Sequence, residues 1–259
     1  MPSNELIFVL LFGSAFIAGI MNSIAGGGTL LTFPALMFAL GPTGAVIANA
    51  TSTIALLPGS IASTWGYRKE LGETKAFALR MLPVSLAGGL LGALLLVWFP
   101  KSFRALVPWL ILLAAILFLI QPMLMKFVKG RQQEPQAKTG ISKFTIILFF
   151  QFWVSVYGGY FGAGIGILML SALGFMGLGD IHRLNSVKTF LAAAINGISV
   201  IVFIGDGLIH WNYAIIMAFA SVMGGYIGAN VARTLRPALV RWVVITIAFT
   251  LAGYYLANG

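Results

Sequence analysis

Gly19-Ile-Met-Asn22-Ser-Ile-Ala-Gly26-Gly27-Gly28-Thr29-Leu-Leu-Thr-Phe-Pro-Ala-Leu36 lies inside an apolar run that extends from Leu6 to Leu40. A single helix over that run would measure about 52 Å at about 1.5 Å per residue. Crossing a bilayer takes only about 20 residues. Three adjacent glycines also cost on the order of 1 kcal/mol each in a helix interior. The stretch therefore reads as a hairpin of two helical arms, Leu6–Ala25 and Thr29–Leu40, broken at Gly26, Gly27 and Gly28. Paired interruptions of this kind, in corresponding places of two halves, point to a transporter's binding site.

The composition around the stretch agrees. Of 259 residues, 59% are hydrophobic and 8% are charged, and there is no cysteine. Soluble domains carry about 25% charged residues, so the chain reads as an all-α polytopic membrane protein. A net charge of +10 raises nucleic acid as a partner. The basic residues are scattered through short segments between apolar spans, however, which excludes a nucleic-acid face. The N-terminus lacks a basic region ahead of its apolar run, so no cleavable signal peptide is expected.

Further spans are predicted at Ala45–Tyr67, Ala76–Phe99 and Ala105–Met125, with Arg68–Lys75 and Pro100–Arg104 as loops. Residues 1–125 make a first unit and 126–143 a cytoplasmic linker. The second unit, 144–259, repeats the order. Phe144–Gly158 and Gly164–Met176 form a hairpin broken between Gly158 and Gly164. Leu184–Ile204, Tyr213–Ala232 and Ala238–Leu256 follow. Leu86–Ala93 (LAGGLLGA) matches Val222–Ala229 (VMGGYIGA) at an offset of 136. The same offset pairs Asn49 with Asn185 and Thr53 with Thr189. Gly26 and Gly28 fall on Gly164 and Gly166 at an offset of 138. A repeat explains the constant offset.

An odd number of crossings per unit makes the two repeats inverted. Each is then a Gly-broken hairpin plus three transmembrane helices. With the N-terminus outside, twelve of the sixteen basic residues lie on the inner side. Only Lys101 and Arg104 lie outside, and Arg80 and Lys188 lie within spans. The positive-inside rule then places both termini outside.

Helix arms that start after the breaks, at Thr29 and Ile165, present free N–H groups and a positive dipole end, which suits an anion. Close helix packing is the alternative reading of any glycine cluster. It is preferred for Gly88-Gly89 and Gly224-Gly225. The candidate anion site takes in Gly26, Gly27, Gly28 and Thr29 at the first break, and Tyr160, Gly162, Gly164 and Gly166 at the second. Asn49, Ser52 and Thr53 share one helical face, as do Asn185, Lys188 and Thr189. Lys188 is either an anion contact or a side chain snorkelling to the inner surface; Arg80 is read as snorkelling. Asn22 completes the set. Asn196 is read as an interhelical hydrogen bond.

All six carboxylates fall at span ends or in loops, and no histidine, aspartate and glutamate cluster has metal-ligand spacing. No metal, cofactor or enzymatic chemistry is expected.

Two motifs carry a resemblance. Ala25-Gly26-Gly27-Gly28-Thr29 precedes Pro34-Ala35-Leu36. Gly158-Gly159-Tyr160-Phe161-Gly162-Ala163-Gly164-Ile165-Gly166 is followed by Asn185-Ser186-Val187-Lys188. Together they resemble the sulfite exporter TauE/SafE family of permeases over nearly the whole chain. The resemblance implies transport of sulfur-containing anions such as sulfite, thiosulfate or sulfoacetate across the bacterial cytoplasmic membrane. Its members differ in substrate and direction. The expected function is a secondary transporter working by alternating access; the alternatives are an uncoupled anion channel and a carrier of a non-sulfur organic anion. Expected partners are a small anion and the lipid bilayer, with a proton as a candidate coupling ion and a second copy of the chain as a candidate partner.

Overall fold

The computed structural model describes residues 4–24, 26–131, 141–174 and 181–231, with the single residues Thr246 and Gly253. Every regular element among them is helical. The first broken hairpin is α1 (Asn4–Ile24) and α2 (Thr29–Leu40), followed by a 3-10 turn at Pro42–Gly44. Then come α3 (Ala45–Gly66), α4 (Arg68–Trp98) and α5 (Pro100–Arg131). The second hairpin is α6 (Ile141–Tyr160) and α7 (Ile165–Gly174), followed by α8 (Ile181–Gly205) and α9 (Trp211–Val231). The expected span Ala238–Leu256, the basic segment 233–241 and most of 132–143 lie outside the described residues.

Two expected loops are helix instead. Arg68–Lys75 forms the first turns of α4, and Pro100–Arg104 those of α5. Lys, Glu and Leu are strong helix formers, and Glu70 sits in the first turn, where the helix dipole favours an acid. Pro100 occupies the first helical position, where its missing N–H costs nothing. Tyr67 alone joins α3 to α4, and Phe99 alone joins α4 to α5. Charge had been read as loop; here it marks the wet end of a long helix. The first part of the expected linker, through Arg131, continues α5.

Among the described residues, six helices are long and apolar enough to cross a membrane: α1, α3, α4, α5, α8 and α9. Their outer surfaces carry large apolar side chains such as Val9, Met123, Ile201 and Phe219, each exposed by more than 60%, as a lipid-facing surface requires. Helix α3 is the most enclosed, with 67% of its most apolar stretch buried against 39–44% for the other five.

The packing follows a two-fold pattern. Helix α1 lies along α9, and α6 along α4; α3 lies along α9, and α8 along α4; α3 and α8 meet each other. Glycine makes these contacts close. A Cβ on Gly88 would strike the Phe152 carbonyl, and one on Gly224 the Phe16 carbonyl. A Cβ on Gly225 would strike the carbonyl of Gly59. The packing assignment of both glycine pairs holds. Helices of one sequence half thus pack on helices of the other. The structure contains two helical bodies, α1–α3–α9 and α6–α8–α4, joined along α3 and α8.

Candidate anion site

At each break, one polar side chain of the first arm holds the turn. The Gly28 N–H donates to Asn22 Oδ1 at 2.7 Å, across the end of α1. The Tyr157 hydroxyl donates to the Ala163 carbonyl at 2.6 Å, across the end of α6. Gly26 and Gly27 have φ of +82° and +96°, and Gly162 and Gly164 both +78°. Only glycine enters that region cheaply. The two turns touch. A Cβ on Gly26 would lie 2.5 Å from Gly166 Cα, and one on Gly27 would lie 3.3 Å from the Gly164 nitrogen and inside the Phe118 ring of α5. The breaks therefore meet backbone to backbone.

Between them is a cavity of about 30 Å³, room for a few water molecules at most. Asn22, Gly26 and Thr29 enter it from the first break, and Gly162, Ile165 and Gly166 from the second. Thr29 and Ile165 open helices α2 and α7, so both helix starts face one space. Lys188, Thr189, Ala192 and Asn196 of α8 and Ser60 of α3 close it.

Lys188 is 1% exposed. It does not snorkel. Its ammonium donates to the Asn185 side-chain oxygen at 2.8 Å and to the Ser23 carbonyl at 3.2 Å. Ser23 lies in the last turn of α1, where carbonyls lack intrahelical partners and the dipole favours a cation. Tyr67 also donates to that carbonyl, at 3.4 Å. Both acceptors of Lys188 among the described residues are neutral, and an ammonium has three donors, so the described residues leave its charge uncompensated and one N–H unassigned beside the cavity. Arg80, by contrast, is exposed, as snorkelling requires.

Seven expected site residues line the cavity: Asn22, Gly26, Thr29, Gly162, Gly166, Lys188 and Thr189. Gly27, Gly28 and Gly164 form the turns themselves, and Asn185 holds Lys188 from behind. The rest stand elsewhere. Ser52 is bonded to Thr32 at 2.6 Å, and the Thr53 hydroxyl donates to the carbonyl of Asn49 at 2.8 Å. Asn49 Nδ2 donates to the Tyr160 carbonyl at 3.1 Å, at the end of α6. Tyr160 itself borders an open, apolar recess of about 460 Å³ with Trp153, Tyr157 and Phe99. Asn49 is eleven residues before Ser60, about 16 Å along α3, so it lies well away from the cavity. Ser60 is not among the expected residues, and Asn196 is expected only as an interhelical hydrogen bond. The offset of 136 that pairs Asn49 with Asn185 also pairs Ser60 with Asn196, and would have found both.

Apolar helices long enough to span a bilayer, two broken hairpins and a small cationic cavity between them define a polytopic membrane transport protein. More particularly, the model of the sulfite exporter TauE/SafE family matches residues 11–255, and the chain belongs to that family. It is 27% identical over 254 residues to a probable membrane transporter protein, ORF9, of Sinorhizobium sp, covering 97% of this chain and 93% of the relative. A probable membrane transporter protein of Haemophilus influenzae is 27% identical over 246 residues, covering 94% and 92%. The Escherichia coli K12 probable membrane transporter protein YfcA is 26% identical over 259 residues, covering 98% and 91%. No solved structure matches.

Proposed function

We propose that this chain is a secondary transporter that carries a small sulfur oxyanion, such as sulfite, thiosulfate or an organosulfonate, across the bacterial cytoplasmic membrane by alternating access. One observation carries the reading: two broken-helix starts and the Lys188 ammonium converge on one cavity, and among the described residues that ammonium donates to neutral oxygens only. Helix N-termini and a buried cation together favour an anion.

The cavity is too small for even a small oxyanion in this conformation, so binding requires the walls to part. The close glycine contacts between α1 and α9 and between α4 and α6 argue against one sequence half rocking on the other. The moving bodies are α1–α3–α9 and α6–α8–α4. Asn22, Gly26 and Ser60 belong to the first and Lys188, Thr189 and Asn196 to the second, so relative motion opens the cavity. A cavity this narrow, with no wide passage through it, favours a carrier over an open channel.

The pairing of α1 with α9 against α6 with α4 supports the inverted repeat. Arg183 is 2.7 Å from Glu73, which supports putting the starts of α4 and α8 on the same, inner side. Both termini are then outside.

The test is thermal stabilisation of the detergent-purified protein by sulfite, thiosulfate, taurine, sulfoacetate and acetate, since a ligand of the folded state raises its stability by mass action. A saturable rise with one sulfur oxyanion is expected. Lys188→Ala should weaken that binding about 10- to 100-fold, the worth of a charge-assisted hydrogen bond of about 1.5–3 kcal/mol. Stabilisation by acetate alone would overturn the sulfur class, and unchanged affinity in Lys188→Ala would overturn the site.

A further inference from the structure

The charge that the cavity offers an anion can be counted helix by helix. Its wall is drawn from α1, α2, α3, α7 and α8 and from the two breaks. Helices α2, α3 and α7 contain no ionisable side chain at all. Helix α1 has only Glu5, in its first turn, about 26 Å along the axis from Asn22. Besides Lys188, helix α8 has His182 and Arg183 in its first turn, and neither lines the cavity. The His182 ring faces that of Tyr67 at 6.4 Å, and exposed Arg183 is spent on Glu73. The Tyr67 and Tyr157 hydroxyls donate to the Ser23 and Ala163 carbonyls. Among the described residues, Lys188 is the one charged side chain on the wall.

The breaks add donors without adding net charge. Thr29 and Ile165 open α2 and α7 with a positive dipole end, but the same breaks end α1 and α6, whose carbonyl ends are negative. The Ser23 carbonyl that accepts from Lys188 is one of these ends. Opposite ends side by side cancel to first order. The cavity is left with the single positive charge of the ammonium.

Two negative charges brought to one buried ammonium leave one of them uncompensated, and an uncompensated buried charge is the costly case. One negative charge leaves the loaded site neutral. We propose that the species carried is a monoanion, either hydrogen sulfite or a singly charged sulfonate, and that doubly charged sulfite, thiosulfate and sulfate are refused. This rests on the anion-carrier reading above and narrows it to one charge state.

The experiment compares methanesulfonate, sulfite, thiosulfate and sulfate as ligands of the purified protein. Melting temperature is read at constant ionic strength and at several pH values on either side of neutrality. Sulfate stabilises folded proteins without any site at high concentration, so only a rise that saturates is counted. The comparison needs no variant. Methanesulfonate keeps one charge throughout and should bind. Thiosulfate and sulfate should bind at least about tenfold more weakly, a difference of about 1.4 kcal/mol. Sulfite loses its second proton near neutrality, so its affinity relative to methanesulfonate should fall about tenfold for each further pH unit. Taking that ratio removes any titration of Lys188, which would weaken both ligands alike. Thiosulfate or sulfate binding as tightly as methanesulfonate, or sulfite holding its ratio as pH rises, would overturn the monoanion and leave the anion site standing. No saturable response to any of the four would overturn both.

Discussion

Lys188 shows how one charged residue can be held at depth without a carboxylate. Burial of a bare ammonium is prohibitive, but two neutral oxygens at the end of α1 and on its own helix share the charge. The residue was legible because a lysine about a turn inside an apolar span has few explanations. Its partner was not: the Ser23 carbonyl lies 165 positions away, and nothing local records which helix end meets α8. The glycines at the breaks were legible for their conformation and not for their contact. Gly26→Ala places an L-residue at φ +82° against the Gly166 backbone. It should destabilise by about 1–2 kcal/mol for the left-handed conformation and by about 1–3 kcal/mol more for overpacking. Gly72→Ala, in α4 with nothing within 4 Å, should instead stabilise by about 0.5–1 kcal/mol. Thermal melts of the two proteins side by side check both signs.

Helix boundaries followed the sequence closely at the first glycine break, where α1 ends at Ile24 and α2 runs from Thr29 to Leu40. They departed at Arg68 and Pro100, because apolarity reports where lipid ends and not where a helix ends. Long helices turned at single residues let α4 reach both α6 and α8. That reach depends on bare backbone at the crossing points. Gly225→Val should push α9 off the Gly59 carbonyl and cost more than the roughly 1–3 kcal/mol of ordinary overpacking, because the obstacle is main chain. Gly13→Val, on a helix face with nothing within 4 Å, should be tolerated. Size-exclusion profiles of the two purified variants distinguish them: a monodisperse peak for Gly13→Val and aggregate for Gly225→Val.

At the scale of the whole molecule, the proposed inverted arrangement makes a claim about sides. The chain has no cysteine, so a single introduced one reports its position cleanly. Gly72→Cys, exposed at the start of α4, should react with a membrane-impermeant maleimide only after cells are permeabilised. Ser102→Cys, exposed at the start of α5, should react in intact cells. The reverse pattern would invert the topology and leave the fold intact. The two interleaved bodies were beyond reading from sequence, since a repeat reveals which segments are equivalent but not which of them embrace.

The meeting of Gly26 with Gly166 bears on insulation. A carrier that opened to both sides at once would short-circuit the membrane potential, and every ion that slipped through would waste the gradient the cell maintains. Side chains between two moving parts can swing aside and leave a gap; main chain against main chain has no such slack. In this conformation the Gly26 and Gly166 main chains rest on each other with no side chain between them. Under the carrier proposed above, the seal in this conformation is main chain on main chain, as it also is where Gly225 meets Gly59 and Gly159 meets Gly89.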